Sequence, residues 1–227
     1  MTRGVFDRLA EHYDAWFDSE RGAVLFRAEV QCLERIMPTD RSDWVEVGVG
    51  SGRFAQALGV PEGVDPSPSL LEMARARGIR GVEGIAEELP YGEDSLEGIL
   101  LVVTLCFLDD PERALHEFAR VLRPGGRLVM GFVPADSAWG RHYMRKAREG
   151  HPFYSVARFC TCSQALDMAA KAGFHMAEAA SALPTQPADE PAELPIRDGI
   201  VPEWGFVGLS FVLEGAGEDE GRGGDRM

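Results

Sequence analysis

Apolar residues recur at helical spacing over residues 5–16 and 21–37, and Pro38 ends the second stretch. From residue 43 the pattern changes to short apolar runs alternating with amphipathic segments. The runs at 44–47, 63–65, 80–83, 96–105 and 127–133 read as strands. A helix begins near Gly52. A second covers 67–77 with Ser67 as its candidate cap, and a third covers 111–122 with Pro111 in its first turn. The run over 96–105 is almost continuous in Ile, Leu and Val, which suits a central parallel strand covered on both faces. Pro124-Gly125-Gly126 reads as a turn before the fifth strand.

Beyond residue 133 the pattern loosens. Helices are expected over 137–149 and 162–172, and the last two strands over 176–182 and 206–213. Residues 184–202 hold five prolines and several acids, which predicts a long loop over the surface or the site. Residues 214–227 are rich in glycine and acids and are expected to be a disordered tail. No internal repeat or second domain is visible. Strand and helix in alternation imply a single α/β domain over 1–213, a doubly wound, mostly parallel sheet with right-handed crossovers.

Composition narrows the function classes. Of the 227 residues 45% are hydrophobic and 26% charged, the proportions of an ordinary globular domain. The longest apolar stretch, 98–108, is far short of the roughly 20 residues of a membrane span. Residues 1–18 carry acids and no apolar core, so no signal peptide is expected and a cytoplasmic location is. Cys32, Cys106, Cys160 and Cys162 are too few for a disulfide scaffold. Two thiolates in Cys-x-Cys do not fill a tetrahedral site, so packing is expected and no metal. The net charge of −14, from 37 acids and 23 bases, disfavours a nucleic-acid partner. A small-molecule partner is the expectation.

The segment with the most chemistry is Glu46-Val47-Gly48-Val49-Gly50-Ser51-Gly52, between the first strand and its helix. Its glycines permit positive φ and let a ligand approach the backbone closely. In doubly wound sheets the crevice above such a turn takes a nucleoside-bearing ligand. Asp65 ends the second strand, 15 residues after Gly50. An ionised carboxylate there can accept hydrogen bonds from both hydroxyls of a ribose; the bland reading is a helix cap, a task open to Ser67. The spacing Gly-x-Gly-x-Gly departs from the dinucleotide fingerprint, which argues against a nicotinamide-dependent oxidoreductase. Glu46 could serve a ligand's amino group, directly or through water.

Four segments in order resemble the class I S-adenosylmethionine (SAM)-dependent methyltransferases, in particular the small type 11 branch that includes enzymes like those of ubiquinone and menaquinone biosynthesis. They are the glycine turn, Gly63-Val64-Asp65-Pro66-Ser67, Gly84-Ile85-Ala86-Glu87-Glu88-Leu89-Pro90, and Arg120-Val121-Leu122-Arg123-Pro124-Gly125-Gly126. The resemblance is strong over 45–133. It implies a Rossmann-like sheet of seven strands, the last antiparallel. It also implies SAM as cofactor and S-adenosylhomocysteine as product.

By the same resemblance Glu46, Gly48, Gly50, Gly52, Asp65 and Pro66 hold the cofactor, Ala86 and Glu87 lie beside adenine, and Thr104 and Leu105 lie under the methionine portion. Residues 1–38 would form N-terminal helices with a lid, in which Tyr13 closes over SAM. Tyr13 and Trp16 equally fit a staple of the first helix to the body. Thr104 and Cys106 stand where many relatives carry histidine or asparagine, so no base is assigned there.

Methyl transfer from a sulfonium is an in-line displacement favoured by alignment and water exclusion. It needs neither metal nor protein nucleophile, so catalytic residues are less legible than cofactor residues. Where the acceptor must lose a proton, the candidates are His12, Tyr13, His142, His151 and Tyr154. Residues 134–160 and 184–203 are the expected coverings of the acceptor pocket, and Arg141, Arg145 and Arg148 share one helical face, read as solvated. A SAM-binding protein without catalysis, acting as sensor or partner, remains the reading from another class. A monomer or homodimer is expected, with no membrane partner.

Overall fold

The computed structural model describes residues 3–187, 189 and 194–215. The elements in chain order are α1 (Arg3–Arg8), α2 (Ala10–Trp16), α3 (Glu20–Glu34), β1 (Trp44–Val47), α4 (Arg53–Leu58), β2 (Glu62–Asp65), α5 (Pro68–Ala76) and β3 (Arg80–Glu83). They continue with β4 (Leu96–Val102), α6 (Pro111–Val121), β5 (Leu122–Phe132), α7 (Ala138–Arg148), α8 (Cys162–Lys171), β6 (Phe174–Ala182), β7 (Arg197–Asp198) and β8 (Phe206–Leu213).

One sheet runs β3-β2-β1-β4-β5-β8-β6-β7. The pairs from β3 to β5 are parallel, and β8 lies antiparallel to both β5 and β6. The near-continuous apolar run of β4 follows from its central position. Ile99 and Leu101 pack into the core on one face, and Leu100 and Val102 into the core on the other. Period-two alternation then demands apolar residues at every position from Ile99 to Val102, while Glu97 near the start of the strand is exposed. The helices are capped by their sequence: the Ser67 hydroxyl accepts Leu70 N–H, Asp110 accepts Arg113 N–H, and Thr161 with Gln164 forms a capping box.

Four expectations are corrected. The first helical stretch is broken at Leu9 into α1 and α2. Strand β4 stops at Val102, because Val103 adopts φ of +45° and Leu105–Phe107 forms a 3-10 turn. Pro124-Gly125-Gly126 is not a turn before β5 but an irregularity within it: Leu122 pairs with Leu96, pairing resumes at Arg127 with Gly98, and Gly125 sits at φ +78°. The sheet has eight strands rather than seven. The additional β7 is a two-residue edge strand inside the proline-rich segment, pairing Arg197 and Asp198 with β6. The tail expected to be disordered lies outside the described residues from 216 onward.

Candidate active site

The crevice lies above the carboxyl ends of β1, β2 and β4. β1 leaves the sheet at Gly48, whose φ of +72° only glycine adopts readily. A Cβ there would also come within 2.3 Å of the Thr104 side chain, so the close packing of Thr104 on this turn needs glycine. Gly48 N–H donates to the Val64 carbonyl at 2.7 Å, tying the turn to β2. At the tip of β2, Asp65 Oδ2 accepts Gly50 N–H at 2.9 Å and Oδ1 accepts Ser67 N–H at 2.8 Å. Two backbone donors therefore fix the carboxylate. Ser67, not Asp65, caps α5.

A cavity of about 300 Å³ opens here. Of the residues expected at the cofactor, Tyr13, Gly48, Gly50, Asp65, Pro66, Ala86, Glu87 and Thr104 line it. Glu87 Oε1 also accepts the Asp109 and Asp110 N–H groups at 3.1 Å, so it holds the entry to α6 as well. The apolar wall by Ala86 includes Ile85 and Leu70, which sequence reading missed because each looks like an ordinary apolar position.

Three expected cofactor residues do not line this cavity. Gly52 opens α4 at φ +82°, and a Cβ there would come within 3.0 Å of Ala74, so it serves close packing. Leu105 lies beyond Val103, in a neighbouring cavity. Glu46 is buried beneath the glycine turn. Burial drives its pKa well above the carboxylate range, the Ala55 N–H opposes this, and Asp65 adds to it. Its Oε2 has no hydrogen-bond partner among the described residues.

The neighbouring cavity, about 220 Å³, shares Phe6, Tyr13, Val103 and Phe107 with the first. Val103, a β-branched residue at positive φ, thus carries backbone strain at the wall between the two. The second cavity is an aromatic chamber. Tyr154 stacks on Tyr143 at 4.4 Å and on His151 at 4.3 Å, and Phe153 packs against Phe6 at 5.1 Å and Tyr13 at 5.8 Å. The proton-acceptor candidates His12, Tyr13, His151 and Tyr154 line it. His142 does not; it lies by Arg145, 3.1 Å away, at a shallow surface pocket. Residues 143–160 supply seven of the chamber's lining residues, whereas no described residue of 184–203 lines either of these two cavities.

The chamber also contains Glu29, which sequence reading missed. It is 7% exposed, and among the described residues its carboxyl has no hydrogen bond or ion pair. Burial pushes its pKa up to about 8. The signal was present: Leu25, Ala28, Cys32 and Leu33 form the buried stripe of α3, and Glu29 falls within it. Burial also raises Tyr13, with Asp65, Glu46 and Glu29 adding to the shift, so its phenol keeps its proton. The Cys106 and Cys160 thiols are pushed up to about 12 and 11 by burial, which removes thiolate chemistry at neutral pH. No group of side chains suited to a metal ion occurs among the described residues.

The N-terminal helices cover both cavities and are bolted to the glycine turn. Asp14 of α2 accepts the Ser51 hydroxyl at 2.5 Å, Arg53 Nε at 2.8 Å and Arg77 Nη2 at 2.7 Å. Asp7 of α1 accepts the Ser67 hydroxyl at 2.9 Å and Ser69 N–H at 3.2 Å. No described helix is long and apolar enough to cross a membrane.

Residues 45–130 match a family model described as a methyltransferase domain. An uncharacterised protein of Mycobacterium tuberculosis is 36% identical over 90% of this chain and 72% of its own length. Another, of Methanocaldococcus jannaschii, is 32% identical over 91% of this chain and 97% of its own. The crystal structure of a SAM-dependent methyltransferase of Thermotoga maritima, described as a possible histamine N-methyltransferase, superposes with a TM-score of 0.85. It is 36% identical, over 93% of this chain and 99% of that one. With the glycine turn, Asp65 and the strand order, these matches end the oxidoreductase reading. This chain belongs to the class I SAM-dependent methyltransferases, in their type 11 family.

Proposed function

We propose that the protein moves a methyl group from SAM to a small-molecule acceptor held in the aromatic chamber. The observation that carries this reading is that the two cavities adjoin and share the walls Phe6, Tyr13, Val103 and Phe107. When bound, SAM supplies an electrophilic methyl on a sulfonium.

The residues present fit that cofactor. Asp65 is fixed at the lip of β2 with its carboxylate lining the cavity, as two ribose hydroxyls require. Gly48 and Gly50 bring bare backbone to the cavity floor. Ile85, Leu70 and Ala86 offer apolar surface to a planar base. The unpartnered oxygen of buried Glu46 suits an amino group reached through water.

The chain's own contribution is alignment and exclusion of water. Phe6 and Tyr13 line the cofactor cavity and the chamber at once. Bound groups then meet in a dry, fixed geometry, from which most of the rate is expected. A chamber of this kind favours catalysis over the sensor reading, since a protein that only binds SAM has no use for it. The Thermotoga protein's description names a small nitrogen-bearing molecule, of a size compatible with about 220 Å³.

The test is to incubate the protein with methyl-labelled SAM and a fractionated cell extract. Label in a low-mass organic product supports the reading. Label only in macromolecules, or none above a Gly48→Arg control, contradicts it.

A further inference from the structure

Glu29 sits on the buried stripe of α3, yet among the described residues its carboxyl has no hydrogen bond or ion pair. A buried carboxylate without a partner is costly, and folds remove such groups unless a ligand supplies the partner. Aromatic residues line the same cavity as Glu29, among them Tyr13, Tyr143, Phe153 and Tyr154. Faces of aromatic rings carry negative potential and attract cations. Carboxylate and rings therefore select the same sign of charge.

We propose that the acceptor is a small ammonium-bearing molecule with an apolar body, its nitrogen seated at the Glu29 carboxylate and its body against Tyr13, Tyr143, Phe153 and Tyr154. This rests on the methyl-transfer reading of the two cavities. A neutral alcohol could offer the carboxyl only a hydrogen bond, and an anion would be repelled by it once ionised, whereas an ammonium group matches the ionised form. For the nitrogen to act as a nucleophile it must expose a lone pair. One N–H bond then breaks, its electron pair stays on nitrogen, and the proton forms an O–H bond at a Glu29 oxygen. Glu29 is in this account both the binding partner and the base.

Other titratable groups face the same space: His12 and Tyr13 from α2, Tyr143 and Lys146 from α7, His151 and Tyr154 from the segment after it, and Cys106 and Cys160. Cys32, three residues on along α3, is fully buried in the core. Burial moves the tyrosines and thiols upward and His151 downward, away from the range just above neutral. In the free protein the Glu29 carboxyl is largely protonated at neutral pH. Capture of an ammonium ion must then expel one proton.

The experiment is calorimetry with 2-phenylethylammonium, 2-phenylethanol and 3-phenylpropionate, each titrated into protein saturated with S-adenosylhomocysteine. Buffers of different ionisation heat, between pH 6 and 8, report proton release. The ammonium probe is expected to bind at least about tenfold tighter than the alcohol at pH 8. Its affinity should climb by up to about tenfold per pH unit below that, the linkage of one proton. Glu29→Gln should weaken the ammonium probe at least about tenfold, abolish its proton release and leave the alcohol unchanged; His12→Gln and Lys146→Met should keep the slope.

Equal affinity for ammonium and alcohol, no binding of the ammonium probe at millimolar concentration, or an unaltered Glu29→Gln variant each overturn the inference. Should that variant not fold, the charge preference and pH slope of the unaltered protein decide. Failure of S-adenosylhomocysteine itself to bind would instead remove the methyl-transfer reading.

Discussion

Arg77 Nη2, just past the end of α5, meets Asp14 Oδ2 of α2 at 2.7 Å across 63 positions of sequence. Arg53 shares the same carboxylate, and Arg77 Nη1 also donates to the Ser51 carbonyl at 2.8 Å. The covering helices are thereby tied to the turn that holds the cofactor cavity. Removing Asp14 leaves two guanidinium groups short of a partner.

Asp14→Ala is accordingly expected to cost about 1–3 kcal/mol of stability, between the values for exposed and fully buried pairs. Urea unfolding measures this. Cofactor affinity should fall with it, because Tyr13 lies on the same short helix.

The same carboxyl sets an acid limit. Burial raises the pKa of Asp14, but hydrogen bonds from Arg53, Ser51 and Arg77 outweigh it and hold the group well below the usual carboxylate range. A depressed pKa contributes stability above the unfolded value near 3.8 and loses it as pH falls further. Melting temperatures below pH 4 should therefore drop more steeply for the unaltered protein than for Asp14→Asn.

Glu29 acts in the opposite sense. Its pKa is raised by burial from 4.5 to about 8, so the fold favours the neutral acid. That advantage is complete below 4.5 and is lost as pH rises through about 8. Glu29→Gln should gain in melting temperature over the unaltered protein as pH rises from 6 to 9, with little difference at pH 5. A difference that stays constant with pH would show that the carboxyl is solvated, and one that shrinks would show that it is paired.

Gly48→Ala tests the packing of the turn. It places a Cβ 2.3 Å from Thr104 at a φ of +72°, and strain plus overlap should destabilise by about 1–4 kcal/mol. Adding Thr104→Ala removes the two nearest atoms, Cγ2 and Oγ1, and should restore part of the loss. Thermal melts of the two single variants and the double variant measure the coupling.

Much of this architecture was legible because it is local. The 2.0 and 3.6 periods place nearly every strand and helix, and Ser67 and Pro111 mark helix starts through residues local to the first turn. Gly48, Gly50 and Asp65 were legible because positive φ and a strand-end carboxylate are sequence-local requirements. What was missed depends on distant partners. β7 has only two residues and exists because β6 offers an edge. Glu46, Gly52 and Leu105 stand in the expected motifs but are not lining residues of the first cavity, which depends on how the turn packs rather than on the motif. Glu29 reads as one acid among 37 until the helix wheel is laid against the sheet.

The central claim is that Asp65 and the glycine turn form a SAM site. Calorimetry with SAM, S-adenosylhomocysteine and NAD, on the unaltered protein and on Asp65→Ala, tests it most directly. The expected result is binding of the first two and not of NAD, with affinity lowered by about one to two orders of magnitude in the variant, the scale of charge-assisted hydrogen bonds. Equal SAM affinity in a folded Asp65→Ala variant, or preferential binding of NAD, would contradict it.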